Sequence, residues 1–196
     1  MNYQEIIKSQ QEFFNSNVTK PLNFRKEQLK KFQAVLKSNE ALLYEAIYKD
    51  FKKSEFETYA TELGMIYEEL HHHIKNVKFW SEKKYVSTNL ANFLGSSYIM
   101  PEPLGNVLVI GAWNYPYLLS LQPVVSAIAA GNTVIIKPSE LAPHTSQIMA
   151  KIINENFPTH YMQVWEGGVE ETTEILKLRF DKIFYTGSAM VGKIVM

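Results

Sequence analysis

Four short apolar runs, separated by segments of helical spacing, dominate the chain from Val107 onward. The runs are VLVI, TVIIK, YMQVW and KIFY, and the segments between them are LQPVVSAIAAG, HTSQIMAKIINENF and EETTEILKLRF. Near-continuous apolar strands that alternate with helices are typical of a parallel sheet covered on both faces. The pattern therefore predicts an α/β fold in which a doubly wound sheet begins here. In the common doubly wound arrangement, these strands would lie in the order 3-2-1-4.

The first 80 residues have helical spacing instead. Two apolar stripes recur at steps of three and four residues, and the first follows Pro21, a residue type that suits the first turn of a helix. The stripes consist of Leu29, Phe32, Val35 and Leu36, and of Tyr59, Leu63, Ile66, Leu70, Ile74 and Val77. The second stripe predicts one long amphipathic helix. We expect residues 1–80 to form a solvated helical layer packed on something larger.

Residues 81–106 differ from both halves. SEKKYVSTNLANFLGSSYIMPEPLGN combines turn-forming residues, the short run SYIM and two prolines, which restrict a strand to an edge or end it. We therefore predict three parts: a helical segment over 1–80, a linker over 81–106, and the first half of a Rossmann-like domain over 107–196.

Composition argues against several classes of partner. The 20 basic and 20 acidic residues give a formal net charge of zero, so there is no electrostatic reason to expect nucleic acid or an anionic membrane. No apolar run approaches membrane-spanning length, and no secretory signal pattern is visible. The sequence contains no cysteine, which excludes disulfides and favours a reducing compartment such as the cytoplasm.

Three motifs follow directly after strands: WNYP at 113–116, KPSE at 137–140 and YTGS at 185–188. Open α/β sheets gather their ligand-binding groups at this end of the strands. In this order and context the motifs resemble those of the aldehyde dehydrogenase superfamily. The run PLGNVLVIGAWNYPYLLSLQPVVSAIAAGNTVIIKPSE is most similar to the class 3 branch, which includes the fatty aldehyde dehydrogenases.

The resemblance implies an NAD(P)-dependent enzyme that oxidises an aldehyde to a carboxylate through a cysteine thioester. It also implies NAD as cofactor with NADP possible, an apolar aldehyde as substrate, a homodimer, and residues 81–106 leading into oligomerisation strands. Because the family's nucleophile is a cysteine, we expect this chain to be the N-terminal part of such an enzyme and inactive alone. A dinucleotide-binding or structural fragment without catalysis, and a related semialdehyde or acyl-phosphate reductase, remain alternatives.

Within this resemblance Asn114 is the candidate catalytic residue. A thiolate that adds to an aldehyde produces an oxyanion, which a fixed amide N–H₂ stabilises in the transition state. The alternative is that Asn114 only bonds its own backbone in a loop. Trp113, which we assign to the cofactor site, Tyr115 and Tyr117 could line an aldehyde tunnel or simply pack in the core.

Lys137 and Glu140 are candidates for binding the adenosine ribose of the cofactor, the lysine by donating to its hydroxyls and the glutamate by accepting from the 2′-OH. A glutamate there would repel a 2′-phosphate, which favours NAD. The alternative for KPSE is a turn in which Ser139 caps the next helix.

Gly187 and Ser188 are candidates for contacting the cofactor pyrophosphate through backbone N–H groups at a helix start. The family usually has G-S-T-x-x-G at this point, whereas this chain has Ala189 in place of the threonine. The G-x-G-x-x-G fingerprint is absent. We expect no metal site, because His71, His72 and His73 cannot converge on one ion in a helix, and we expect His144 and His160 to be surface residues.

Overall fold

The computed structural model describes residues 3–196, which form an α/β fold as predicted. The helices are α1 (Tyr3–Asn15), α2 (Leu22–Ser38), α3 (Glu40–Phe51), α4 (Glu55–Thr58), α5 (Gly64–Trp80), α6 (Pro116–Ala130), α7 (Pro143–Asn154), α8 (Val169–Leu176) and α9 (Ala189–Val195). The strands are β1 (Lys84–Val86), β2 (Ser97–Ile99), β3 (Asn106–Ile110), β4 (Thr133–Lys137), β5 (Met162–Val164) and β6 (Lys182–Tyr185). A π-helical turn (Tyr59–Leu63) joins α4 to α5, and a 3-10 turn (Leu90–Asn92) lies between β1 and β2.

The main sheet is parallel, with strand order β5-β4-β3-β6. Numbered along the chain, this is the predicted order 3-2-1-4. Both central strands, β3 and β4, are buried along their whole length, which explains why their sequences are almost continuously apolar. Because all four strands run the same way, their carboxyl ends meet at one edge of the sheet.

Two apolar clusters cover the two faces of the sheet. Val107 and Val109 of β3 point into the larger cluster, which also contains buried residues of α2, α3, α5, α6 and α7. Leu108 and Ile110 point the other way, where Ile7 of α1 and Ile175 of α8 join them. The helical segment therefore shares its core with the sheet, and the division into 1–80, 81–106 and 107–196 stays a prediction.

The second predicted stripe is interrupted by the π-helical turn. Leu63, Ile66 and Leu70 are buried as expected, but Tyr59 is about half exposed. A π turn inserts an extra residue and rotates the residues before it away from the face that follows. Gly64 closes the turn by donating its N–H to the carbonyl of Tyr59, and a Cβ at this glycine would lie 2.8 Å from that oxygen. The predicted long helix is present from Glu55 to Trp80, but the π turn inside it leaves Tyr59 outside the buried face.

The helices α6 and α7 are capped by side chains from the helical segment. Each begins with a proline and has neither an acidic residue in its first turn nor a side-chain cap from its own N-cap residue. Glu62 Oε2 accepts hydrogen bonds from the backbone at the start of α6, and Asp50 does the same for α7. Ser139 lies three residues before the N-cap position of α7, so the predicted cap at Ser139 was wrong.

Residues 81–106 form a small antiparallel pair in which β1 and β2 run side by side. The pair is largely exposed, and Tyr85 stacks edge-on against Tyr98 across it. Among the residues that the structure describes, no helix is both long enough and apolar enough to cross a bilayer.

Candidate functional site

A cleft of about 670 Å³ lies at the carboxyl ends of β3, β4 and β6. The residues predicted as site residues come from three separate motifs, and all of them line this cleft: Trp113, Asn114, Lys137, Glu140, Gly187 and Ser188. The topology explains why, since β3 lies between β4 and β6 and the motifs follow these three strands. The structure thus brings together residues that are up to 75 positions apart in the chain.

Asn114 is exposed to the cleft, and within residues 3–196 its carboxamide has no hydrogen-bond partner. The alternative in which this amide bonds its own backbone is therefore wrong. The backbone carbonyl of Asn114, by contrast, is held by the ammonium of Lys53 at 2.9 Å. Trp113 beside it is 51% exposed, and its ring lies 6.3 Å from that of Phe51. The amide is free to donate while its backbone is fixed.

The two tyrosines that follow have different roles. Tyr115 is 40% exposed, and Lys53 Nζ lies 4.3 Å from the centre of its ring. Tyr117 is fully buried and donates its hydroxyl proton to the carbonyl of Leu43 at 2.7 Å. Burial and the nearby Glu62 carboxylate raise the pKa of Tyr117 far above its ordinary value. Tyr117 is a core residue, and the tunnel interpretation was wrong for it.

Lys137 is a buried cation at the floor of the cleft. It is 2% exposed, and Nζ donates to the carbonyl of Pro138 at 2.7 Å while lying 3.8 Å from Glu140 Oε2. Burial lowers the pKa of Lys137, and the neighbouring carboxylates, with Glu140 first, oppose this. An ammonium group has three N–H donors, so Lys137 retains hydrogen-bonding capacity toward the cleft.

Gly187 and Ser188 form the wall next to β6. A Cβ at Gly187 would clash with the hydroxyl of Tyr185, so a larger residue here requires the Tyr185 ring to move. Ser188 is the N-cap of α9, and its Oγ accepts a hydrogen bond from the backbone N–H of Val191 at 3.3 Å. Ala189, where the family usually has threonine, is the first residue of α9 and is exposed, so the cap does not depend on a hydroxyl there.

Sequence reasoning missed one wall of the cleft and the support behind Asn114. The wall is formed by the face of α8 that carries Val169, Thr172 and Leu176. The support is the ion pair of Lys53 with Glu62, 2.8 Å apart. No local pattern marks this pair, because Lys53 lies in the loop between α3 and α4, and Glu62 belongs to a charged face that a helical pattern assigns to solvent.

No histidine within residues 3–196 lines this cleft. His73 is buried, with Nδ1 3.0 Å from the carbonyl of Glu69 and Nε2 3.3 Å from Ser126 Oγ. Within residues 3–196 there is no group of three or more potential ligands that could hold a metal ion. His144 was expected to be a plain surface residue, but its Nδ1 lies 2.7 Å from Asp50 Oδ1.

Comparison with known proteins shows the family to which this chain belongs. Residues 1–196 match the aldehyde dehydrogenase family along their whole length. The chain belongs to the aldehyde dehydrogenase family. It is 48% identical over 93% of its length to 4,4'-diaponeurosporen-aldehyde dehydrogenase of Staphylococcus aureus, and covers 40% of that protein.

Two mammalian relatives confirm the predicted resemblance to the class 3 branch. Aldehyde dehydrogenase family 3 member A2 of Pongo abelii is 46% identical over 93% of this chain, which covers 38% of it. The dimeric NADP-preferring aldehyde dehydrogenase of Mus musculus is 42% identical over 100% of this chain, which covers 43% of it. The chain thus spans about 40% of the length of the curated relatives that it matches.

A solved structure confirms the fold. The substrate-bound state of Staphylococcus aureus AldH superposes on this aldehyde dehydrogenase chain with a TM-score of 0.95 at 46% identity. The superposition covers 100% of this chain and 43% of the other.

Proposed function

We propose that this chain supplies the cofactor cleft and the oxyanion-stabilising amide of an enzyme that oxidises aldehydes to carboxylates with NAD(P). The observation that carries the proposal is the convergence of Trp113, Asn114, Lys137, Glu140, Gly187 and Ser188 on one cleft at the carboxyl ends of three parallel strands. The nucleophile of the proposed reaction is a cysteine thiolate, and residues 1–196 contain no cysteine. The thiolate therefore comes from another part of the enzyme.

Asn114 stabilises the negative charge that develops on the aldehyde oxygen. Its carboxamide faces the cleft with no partner of its own among residues 3–196, and its backbone is held by Lys53. A donor that is already oriented needs no reorganisation as the charge forms, which is the condition for strong transition-state stabilisation. This absence of a competing hydrogen bond supports the assignment.

The residues of the cleft fit a dinucleotide. Lys137 is a buried ammonium with unused donors, Glu140 places an exposed carboxylate within 3.8 Å of it, and the cleft of about 670 Å³ is wide enough for part of a cofactor. Lys137 and Glu140 would hold the adenosine ribose, and Gly187 and Ser188 the pyrophosphate. When bound between these residues, NAD(P) would supply the hydride acceptor that the oxidation needs.

The carboxylate of Glu140 favours NAD over NADP, because it would repel a 2′-phosphate. Its side chain is 44% exposed, so it can move away from a 2′-phosphate, and NADP stays possible. One relative that shares 42% identity is named NADP-preferring.

We further propose an apolar aldehyde, a homodimer and a cytoplasmic location. The exposed rings of Trp113 and Tyr115 beside Asn114 support an apolar substrate. The exposed β1–β2 pair, with Tyr85 and Ile99 on its surface, supports an intersubunit contact. The absence of cysteine supports a reducing compartment.

The substitution Asn114→Ala in the full-length enzyme tests the catalytic role. We expect kcat to fall roughly 10²–10³-fold, because an oxyanion donor is lost, while the Kd for NAD stays unchanged. Asn92→Ala, in the exposed 3-10 turn away from the cleft, is the matched control and should leave kcat unchanged. A parent-like kcat for Asn114→Ala would remove this residue from the mechanism.

A further inference from the structure

A buried ion pair lies behind the turn that carries Asn114. Lys53 Nζ is 2.8 Å from Glu62 Oε1, and the two side chains are 13% and 0% exposed. Removing two charges from water is costly unless each is well paired and hydrogen-bonded. Because Glu62 is fully buried, both of its carboxylate oxygens need hydrogen-bond partners within the protein.

The pair holds the backbone on both sides of Tyr115. Lys53 Nζ donates to the carbonyl of Asn114 at 2.9 Å, and it lies over the ring of Tyr115 at 4.3 Å. Glu62 Oε2 accepts from the backbone N–H groups of Tyr117 at 2.8 Å and Leu118 at 3.2 Å, in the first turn of α6. The position of Asn114 is thereby fixed against the helix that follows it.

The π-helical turn is what places Glu62 there. Glu62 lies within this turn (Tyr59–Leu63), where the extra residue brings its side chain to the buried side while Tyr59 stays exposed. π turns inside helices occur frequently at functional sites. A helix cap alone would need only the carboxylate; the additional contact of Lys53 with the Asn114 carbonyl links the pair to the cleft.

We propose that Lys53 and Glu62 are positioning residues for the Asn114 carboxamide, an inference that rests on the proposed role of Asn114 in oxyanion stabilisation. The ammonium group fixes the Asn114 carbonyl and the carboxylate fixes both that ammonium and the start of α6. Without the pair, the turn from Trp113 to Pro116 gains freedom, and the amide spends less time aimed at the reacting oxygen.

The first experiment compares Lys53→Met with Lys49→Met in the full-length enzyme. Lys49 forms an exposed ion pair with Glu45 at 2.6 Å and serves as the matched control. We expect Lys53→Met to lower kcat at least roughly tenfold, since small misplacements of a reacting group can cost up to about a hundredfold. The Kd for NAD should not change, Lys53→Arg should recover part of kcat, and Lys49→Met should behave like the parent.

The second experiment separates positioning from a purely structural role. If Lys53 acts through Asn114, then Lys53→Met should change kcat by less than about twofold when Asn114 is already alanine, because coupled residues are not additive. An equal loss in both backgrounds would overturn the proposal. So would a parent-like kcat for Lys53→Met in an enzyme where Asn114→Ala is strongly impaired.

A variant without the unpaired charge keeps the test usable if Lys53→Met does not fold. Lys53→Met combined with Glu62→Gln removes both charges while the glutamine oxygen can still accept from α6. The same loss of kcat is expected for this double variant, and a parent-like kcat would refute the positioning role. A parent-like kcat for Asn114→Ala, by contrast, would refute the proposed function itself.

Discussion

Removing the carboxylate of Asp50 should destabilise the protein strongly, although Asp50 lies outside the cleft. Its side chain is 2% exposed and accepts hydrogen bonds from the backbone N–H groups of Thr145 and His144, at 2.8 and 3.2 Å, and from the Thr145 hydroxyl at 2.6 Å. Asp50→Ala takes the cap from α7 and leaves the buried hydroxyl of Thr145 without this acceptor.

The expected loss of stability is the sum of two contributions, the cap on α7 and the acceptor of the Thr145 hydroxyl. Loss of an N-cap costs about 0.5–2 kcal/mol, and a buried polar group left unpaired costs about 1–3 kcal/mol. Together they lower the free energy of unfolding by about 1.5–5 kcal/mol. Since 1 kcal/mol shifts Tm by about 2–4 °C in a chain of this size, Tm should fall by about 3–20 °C.

The loss of stability caused by Asp50→Ala should also depend on pH. Burial raises the pKa of Asp50, but the hydrogen bonds from Thr145 and His144 outweigh it and hold the pKa below its ordinary value. A lowered pKa in the folded state means that the stabilisation is complete above the unfolded pKa of about 3.9 and is lost as pH falls through the folded pKa. The difference in Tm between parent and Asp50→Ala should therefore shrink only in strongly acidic solution.

Thermal unfolding followed by circular dichroism at neutral and acidic pH provides the measurement. Glu45→Ala, on the same helix, is the control, because its pair with Lys49 is exposed to water and contributes little to stability. A Tm for Asp50→Ala that matches the Glu45→Ala control at neutral pH would show that this cap does not hold α7.

Two further predictions concern the cofactor and the isolated chain. Glu140→Gln should weaken NAD binding and shift the NADP/NAD preference toward NADP, which titration of both nucleotides measures; an unchanged ratio would leave Glu140 without a role in selecting the cofactor. Residues 1–196 alone should not form NADH with any aldehyde, because they contain no thiol. They should also self-associate with rising concentration in light scattering, since β6 pairs on one side only within residues 3–196 and Met190 and Ile194 of α9 are exposed; a monomer that turns over aldehyde would contradict both expectations.

The sheet and its cleft could be predicted from sequence because local patterns determine them. Apolar runs give the strands, the segments between them give the helices, and the doubly wound order brings the ends of β3, β4 and β6 together. Gly131 is a further local signal: it ends α6 at φ 95°, a left-handed conformation that favours glycine.

What the sequence did not predict depends on contacts between distant parts of the chain. Asp50 and Glu62 are charged residues in helical patterns, which normally indicates a solvated face, and Lys53 lies in a short polar loop; their burial follows only from the docking of α6 and α7. Ser139 has the residue type of a helix cap, yet the helix begins later because Pro143 takes the first-turn position. Tyr59 fits the apolar spacing, and only the π turn moves it out of the core.

The caps on α6 and α7 also constrain the order in which the chain can fold during synthesis. Glu62 binds the start of α6 at Tyr117, and Asp50 binds the start of α7 at Thr145. Both acidic residues are synthesised before the helix that they cap. Until then both carboxylates remain hydrated, and α3 and α5 lack the helices α7 and α6 against which they pack. The nascent helical segment therefore emerges as an incomplete unit. The cap on α6 can form only after 55 residues have been added beyond Glu62, and the cap on α7 only after 95 residues have been added beyond Asp50.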